Sequence, residues 1–243
     1  MKIKGCVALV TGANRGLGKT FAEALLDRGA SKVYAGMRDP STGSGDPRLV
    51  PLQLDVTATR DVAAVAARCT DLTLLVNNAG AMLMTPMLKD GSDSALRREM
   101  EVNVYGVLAL TRAFAPILGS NGGGAIVNML SVVSWFTAPF NATYCATKHA
   151  ALVVSDATRI ELKRQGTRVV GVYAGFIDTD MATSIDQPKT QPRQVAERAF
   201  DGVESGEDHV LADMRAEEIW RTTREHPAQL AALQQHAWDT RPK

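Results

Sequence analysis

The chain has 243 residues, 45% of them apolar and 22% charged, with a formal net charge of +1 at neutral pH. That balance excludes the basic face of a nucleic-acid binder and the acidic tail of a solvating segment, and it supplies enough apolar side chains for a large core. Cys6, Cys69 and Cys145 are odd in number, widely spaced and set among apolar residues, which suits reduced, packed thiols better than disulfides or a metal site.

Val7 to Val10 form a short, fully apolar strand of the kind buried on both faces of a parallel sheet. It runs into Thr11-Gly12-Ala13-Asn14-Arg15-Gly16-Leu17-Gly18, and a helical stripe of Phe21, Ala24 and Leu25 follows and closes at Gly29. Glycines between a strand and a helix are either a tight structural turn or a place where backbone approaches a pyrophosphate at a helix N-terminus. The strand before and the helix after favour the second reading, a dinucleotide. A second strand at Val33-Tyr34-Ala35 ends at Met37-Arg38-Asp39-Pro40. An NAD-specific protein would carry a carboxylate there for the ribose hydroxyls. Met37 and Arg38 point instead to a 2′-phosphate clamped by Arg38 and Arg15. Arg38 as a solvated surface charge is the alternative, and Asp39 keeps NAD open as the second choice.

Residues 40 to 47 break helix, so the usual crossover is reduced to a turn before a third strand from Leu49 to Leu54. Asp55 and Val56 close that strand, and Thr57 is positioned to cap a helix through Arg68. Leu72 to Val76 form a fourth strand that delivers Asn77-Asn78-Ala79-Gly80 at its carboxyl end, where ligands gather in an open α/β sheet. The following loop holds Met82, Leu83, Met84, Met87 and Leu88, either local packing or one wall of an apolar pocket. A long helix is expected from about Ser94 to Leu118, and Asn103 within it signals a polar contact or a kink. Beyond the 122–124 glycine turn come a fifth strand, a loop with Ser131, and a helix with Tyr144 that runs to about Arg164. Thr167 to Tyr173 form a sixth strand, residues 192 to about 203 a helix, His209 to Leu211 a seventh strand, and a polar helical tail completes the chain. The alternation predicts a single domain over residues 1–243, a doubly wound seven-stranded parallel sheet in three α/β/α layers, with 213–243 as a helical extension.

Tyr144 and Lys148 stand one helical turn apart, and Ser131 ends the fifth strand. They are an ordinary helix pair beside a turn serine, or they are one site. A tyrosine with a pKa of about 10 is a poor base near neutrality unless a cation favours its phenolate. Ser131 can hold a substrate oxygen while Tyr144 exchanges a proton with it.

With these segments in place the sequence closely resembles the short-chain dehydrogenase/reductase family over residues 5 to about 212. The resemblance rests on Thr11-x-x-x-Gly16-x-Gly18 with Gly12 inside it, Asp55, Asn77-Asn78-Ala79-Gly80, Asn103, and Ser131 with Tyr144-x-x-x-Lys148, in that order. It implies the Rossmann-like fold and a carbonyl reductase in which Tyr144 is the acid/base and Ser131 orients the substrate oxygen. Lys148 lowers the tyrosine pKa and holds the nicotinamide ribose, while Asn103 helps a proton relay through water. The implied NADP(H) site combines Gly12, Asn14, Arg15, Gly16, Leu17, Gly18 and Arg38 with Asp55, Val56, Asn78, Ala79, Gly80, Tyr144, Lys148, Gly175, Ile177 and Thr179, with NAD(H) as the other possibility. Asp55 and Val56 meet the adenine, and Ile177 with Thr179 the carboxamide. Ala174 departs from the proline usual before Gly175, and the tail exceeds the usual length. The resemblance also implies a homodimer or homotetramer through the Asn103 and Tyr144 helices.

The pocket segments supply Met82, Leu83, Met84, Val132, Val133, Trp135, Phe136, Phe140, Phe176 and Met181, with Lys89 their sole cation, so an uncharged, largely apolar carbonyl or alcohol is the expected substrate. A catalytically idle NADP-binding sensor or scaffold, and an isomerase or dehydratase, are the alternatives. The apolar run after Lys4 is too short for a signal peptide, and no stretch reads as a spanning helix. A cytoplasmic protein without nucleic-acid or membrane partners is expected.

Overall fold

The computed structural model describes residues 1–40 and 46–240. Seven parallel strands form one sheet: β1 (Val7–Thr11), β2 (Lys32–Met37), β3 (Leu49–Gln53), β4 (Leu74–Asn77), β5 (Gly124–Met129), β6 (Thr167–Tyr173) and β7 (His209–Leu211), in the order β3-β2-β1-β4-β5-β6-β7. Their side chains alternate between two cores. Ala8, Val10, Val33, Ala35, Val76, Val127 and Val172 pack under α1 (Gly16–Asp27) and α6 (Pro192–Ser205), where Phe21 and Phe200 meet edge to face with ring centres 5.6 Å apart. Leu9, Tyr34, Leu52, Leu75, Ile126 and Val169 face the opposite way, onto α2 (Thr59–Arg68) and α4 (Val107–Ser120). This is the doubly wound, three-layer arrangement that fully apolar parallel strands require, since both faces must be covered.

Strand order reverses between β1 and β4. That switch point opens a crevice at the carboxyl ends of the strands, the standard ligand position in such sheets.

Several elements differ from expectation for identifiable reasons. The fourth strand starts at Leu74 because Thr73 is spent on β1: its N–H and its hydroxyl both reach Val7. Thr57 does not cap α2, whose N-cap is Ala58, because the Asp55 carboxylate captures both its N–H, at 2.9 Å, and its hydroxyl, at 2.7 Å. A short polar side chain hydrogen-bonding two residues on competes with helix capping. The turn expected over 40–47 lies largely outside the described residues. The long helix is α3 (Ser92–Met100), a π-helical turn (Glu101–Gly106) and then α4. Contrary to the sequence reading, the run Ser92–Ser120 is long and apolar enough to cross a membrane by length and composition. Here Leu110, Phe114 and Leu118 are buried against the sheet. The remaining helices are α5 (Ala142–Leu162), α7 (Met214–Glu225) and α8 (Pro227–Asp239). The last two form the C-terminal extension, which docks through Ala216, Ile219 and Leu230 on Leu130, Val132 and Tyr173, and leaves Leu233 exposed.

Candidate active site

At the switch point Thr11 and Asn78 lace β1 to β4. The Thr11 hydroxyl accepts from the N–H groups of Asn78 and Ala79 at 3.0 and 2.9 Å, and the Asn78 side-chain amide donates to the Thr11 carbonyl at 2.9 Å. The glycine turn packs onto this lacing. A Cβ on Gly18 would fall 2.1 Å from the Gly12 carbonyl oxygen, and one on Gly12, whose φ is +67°, would fall 3.2 Å from Ala79 Cα. Residues 12 and 18 therefore bring the start of α1 down onto the end of β4. Among the described residues no side chain caps that helix: Arg15 at the N-cap makes no capping bond. Uncapped N–H groups and the positive end of the helix dipole face the crevice, a cradle suited to a pyrophosphate. Asn14 and Leu17 lie in the same turn. The residues present thus fit a dinucleotide.

The other cofactor candidates occupy three places. The Asp55 carboxylate is held below its ordinary range, chiefly by the Thr57 N–H and hydroxyl, with a smaller contribution from Arg38. Val56 packs against the π turn, where a Cβ on Gly106 would fall 2.9 Å from Val56 Cγ2. Arg38 is exposed. Arg15, expected at the ribose phosphate, instead pairs with Asp180 at 2.9 Å across the crevice mouth, both side chains exposed. Such a surface pair contributes about 0–1 kcal/mol, so a phosphate can compete for the guanidinium. Ile177 and Thr179 lie in the loop after β6, and Thr179 comes over the glycine turn, 3.4 Å from where a Gly16 Cβ would stand.

That loop is pinned by a residue the sequence reading passed over. Asp213, buried at the start of α7, accepts the Gly175 N–H and the Thr190 hydroxyl on one carboxylate oxygen, each at 2.9 Å, and caps α7 through the Ala216 N–H at 2.7 Å on the other. A Cβ on Gly175 would strike the Arg215 side chain at 2.6 Å. Glycine, rather than the proline missing at 174, is what lets the loop meet α7 this closely.

Ser131 is the N-cap of a 3₁₀ turn (Val132–Ser134), accepting the Val133 N–H at 3.3 Å. Tyr144 sits in the first turn of α5, half-buried, and Lys148 is almost fully buried one turn later. The Lys148 ammonium donates to the Met129 carbonyl at 2.8 Å and lies 5.5 Å from the centre of the Tyr144 ring. The structure therefore brings Ser131, Tyr144 and Lys148 together at the end of β5. Burial dominates their protonation. It pushes the Tyr144 phenol up, as Cys145 and Glu99 do to smaller extents, while a hydrogen bond with Ser131 pulls the other way. The expected lowering by Lys148 is thus not the controlling influence. Burial lowers Lys148 itself to about 8, so it gives up its proton far more readily than an ordinary lysine.

Asn103 lies in the π turn and is buried. Its side-chain oxygen accepts the Ala81 N–H at 2.8 Å, and its amide donates to the Ala81 carbonyl at 2.8 Å and to Thr147 at 2.9 Å. Thr147 in turn donates to the Tyr144 carbonyl at 2.8 Å. The polar contact is present, inside a π turn, and this amide is committed to tying the loop after β4 to the Tyr144 helix. Thr147 was findable, since it falls inside the Tyr144–Lys148 turn. A second ladder runs from Asn77 through Asn128 to Ser155, with bonds of 2.8 and 2.7 Å, and fixes α5 to β4 and β5. Glu99 is fully buried one turn before Asn103; one oxygen accepts the Leu83 N–H at 2.6 Å and the other has no partner among the described residues. It holds the methionine-rich loop, where Met84 adopts the left-handed conformation (φ 51°).

The family model described as short chain dehydrogenase matches residues 6–190. The chain belongs to the short-chain dehydrogenase/reductase family. It is 31% identical to a short chain dehydrogenase of Monascus purpureus over 203 residues, 76% of this chain and 70% of that protein. Among solved structures, a short chain dehydrogenase from Burkholderia cenocepacia J2315 in complex with NADP is 43% identical, with a TM-score of 0.93 over 96% of this chain and 99% of that one. A gluconate 5-dehydrogenase from the same organism, in complex with NADP and tartrate, is 25% identical, with a TM-score of 0.78 over 86% and 94%. The fold and the oxidoreductase class of this short-chain dehydrogenase/reductase follow.

Around the trio, Trp135 stacks on Tyr173 with ring centres 4.1 Å apart, Phe140 meets Trp238, and Phe176 carries the Arg215 guanidinium 5.5 Å from its ring centre. The tail thus brings Arg215 to the loop that follows β6.

Proposed function

We propose that this family member is an NADPH-dependent reductase of a largely apolar aldehyde or ketone, reversible as a secondary-alcohol dehydrogenase. The observation that carries the reading is the convergence of Ser131, Tyr144 and Lys148 at the end of β5, beside a crevice suited to a dinucleotide. NADP in the 43%-identical Burkholderia protein supports the cofactor, as does Arg38 at the end of β2, where an acid would favour NAD.

When bound, the dihydronicotinamide supplies the hydride. Ser131 donates a hydrogen bond to the carbonyl oxygen and fixes its position. Tyr144, kept protonated at neutral pH by burial, gives its proton to that oxygen as charge develops. Lys148, with its pKa near 8, is matched to exchange protons near neutrality. Asn103 and Thr147 hold the first turn of α5, so the phenol stays aimed at the substrate. A phenol that ionises reluctantly favours the acid role, which is reduction. The buried thiols of Cys6, Cys69 and Cys145, all unpaired, support the cytoplasm as its compartment. The exposed Val153 and Ile160 on α5, with Tyr105 on the π turn, support a homo-oligomer through that face.

The test is NADPH consumption with a panel of aldehydes and ketones, wild type against Tyr144→Phe. Turnover should fall by at least about a hundredfold with NADPH binding kept. More than about a tenth of wild-type activity in the variant would refute the role. Cofactor cycling without net absorbance change would mark an isomerase or dehydratase, and no turnover of any carbonyl an idle binding protein.

A further inference from the structure

Glu99 is fully buried and forms no ion pair among the described residues, and its one hydrogen bond there takes the Leu83 N–H at 2.6 Å. That bond belongs to a series. Residues 81–85 form a short strap held at alternate residues, bonded to α3 with its π turn on one side and to α5 on the other. Asn103 takes both backbone polar groups of Ala81, at 2.8 Å each, and Glu99, one turn earlier, takes Leu83. Thr143 of α5 donates to the Thr85 carbonyl through its N–H at 3.2 Å and its hydroxyl at 3.3 Å. Beside the central bond stands Met84, whose φ of 51° is a conformation that side chains rarely adopt. The ends of the strap reach different parts of the site. At one end it continues directly from residues 78–80, which meet the glycine turn at the crevice. At the other, its bond ends on Thr143, the residue immediately before Tyr144.

We infer that Glu99 is a positioning residue: by holding the centre of this strap it fixes the spacing between the cofactor crevice and the Tyr144 phenol, hence between hydride donor and proton donor. The inference rests on the reductase reading above and assigns a role to a residue that touches neither reactant. An apolar side chain would occupy the same enclosed place without the desolvation of an acid, yet it would leave the Leu83 N–H without an acceptor. The strap would then be held only at 81 and 85. The left-handed backbone at Met84 could relax, the strap would bow, and the first turn of α5 would shift with it. A displacement on the order of 1 Å between reacting groups can cost about a hundredfold in rate. The carboxylate also acts on that turn directly: burial is the main cause that raises the Tyr144 phenol and the Cys145 thiol, and Glu99 adds to both.

Two variants separate the strap bond from the charge. Glu99→Leu removes the acceptor and leaves an enclosed apolar side chain, a change that buried sites tolerate well. Glu99→Gln removes the charge and keeps an oxygen for the Leu83 N–H. The readout is single-turnover oxidation of bound NADPH by whichever carbonyl compound of the panel the wild type reduces fastest. Rates are expressed per NADPH bound, so misfolded protein does not enter. Glu99→Leu should slow that step at least about tenfold with its Kd for NADPH within about twofold of wild type, the mark of a contribution made in the transition state and not in binding. Glu99→Gln should restore the rate to within about threefold of wild type, since the strap bond is kept. A purely structural role would instead lower the amount of NADPH bound and leave the rate of the bound fraction unchanged, which overturns the inference. Equal losses in the two variants also overturn it, because the charge and not the strap bond would then carry the effect. If the wild type is active and both variants match it, the inference falls while the reductase reading stands. If the wild type reduces no aldehyde or ketone, the reductase reading falls and takes this role with it.

Discussion

Asp213→Asn is the most informative single change, because one carboxylate joins the C-terminal extension to the loop that carries Ile177 and Thr179. Its two oxygens take three donors: the Ala216 N–H on one, the Gly175 N–H and the Thr190 hydroxyl on the other. Asparagine keeps the shape and is itself a good N-cap, so α7 retains its cap if the amide oxygen turns toward Ala216. The amide nitrogen then faces Gly175 and Thr190. The threonine hydroxyl can rotate to accept from it, but the Gly175 N–H has nothing to donate to. A donor orphaned in this way costs about 1–3 kcal/mol, and the bond lost was to a charged acceptor, the stronger kind. Spent on loop docking, that cost weakens whatever the docked loop binds by roughly 5- to 150-fold. The expected result is a Kd for NADPH raised by about tenfold, with the 176–190 segment more readily cleaved by protease in the free protein. Global stability should change less, because the loop can release locally while the sheet stays intact. NADPH affinity within about twofold of wild type, with unchanged cleavage of that segment, would refute the reasoning.

Other expectations follow from the same geometry. Arg38→Asp should weaken NADPH by at least about tenfold and NADH little, because a guanidinium–phosphate pair is replaced by repulsion; equal losses in cofactor titrations would overturn the assignment. Val153→Asp places a charge on an exposed apolar face, Val153 being 67% and Ile160 76% exposed, and should shift light scattering toward a 26.0 kDa monomer; a wild type already monomeric at micromolar concentration would refute the oligomer. Burial pushes Cys69 from 9.0 up to about 12. Its folded pKa is the higher one, so the stability it protects is complete below pH 9 and is lost as the pH rises from 9 toward 12. Cys69→Ala should therefore flatten the alkaline fall in unfolding free energy by up to about 1.4 kcal/mol per pH unit; an unchanged slope in denaturant titrations across that window would show that the thiol titrates alike in both states.

What the sequence disclosed was local or periodic. Continuous apolar runs such as Val7–Val10 and Val169–Tyr173 mark buried parallel strands because both faces of each are covered, and glycines between strand and helix mark the crevice. The trio was legible since Tyr144 and Lys148 share one turn and Ser131 ends a strand. Asp213 was hidden because its loop partners lie 38 and 23 residues away, and nothing in local spacing foretells such pairing. The ion pair of Arg15 was hidden for a similar reason: its partner Asp180 arrives from a distant loop. Thr57 shows the opposite failure, a local rule defeated by a closer competitor in Asp55.

The π turn at Glu101–Gly106 makes reading frame a structural quantity in this protein. A π turn holds one residue more than the α-helix it interrupts, and each residue turns an α-helix by about 100°. Glu99 before it and Asn103 in its first half pack on α5 and the loop after β4, and the stretch beyond it turns Leu110, Phe114 and Leu118 onto the sheet. Loss of a single codon anywhere in 101–106 would let the helix run on as a regular one. Either the Asn103 contacts or the Phe114 face would then point about 100° away from its partners. Substitutions at exposed positions such as Tyr105 leave that phase untouched. In an aligned set of relatives this segment should therefore vary in composition and not in length, and a deletion here should be found only beside an insertion in the same helix.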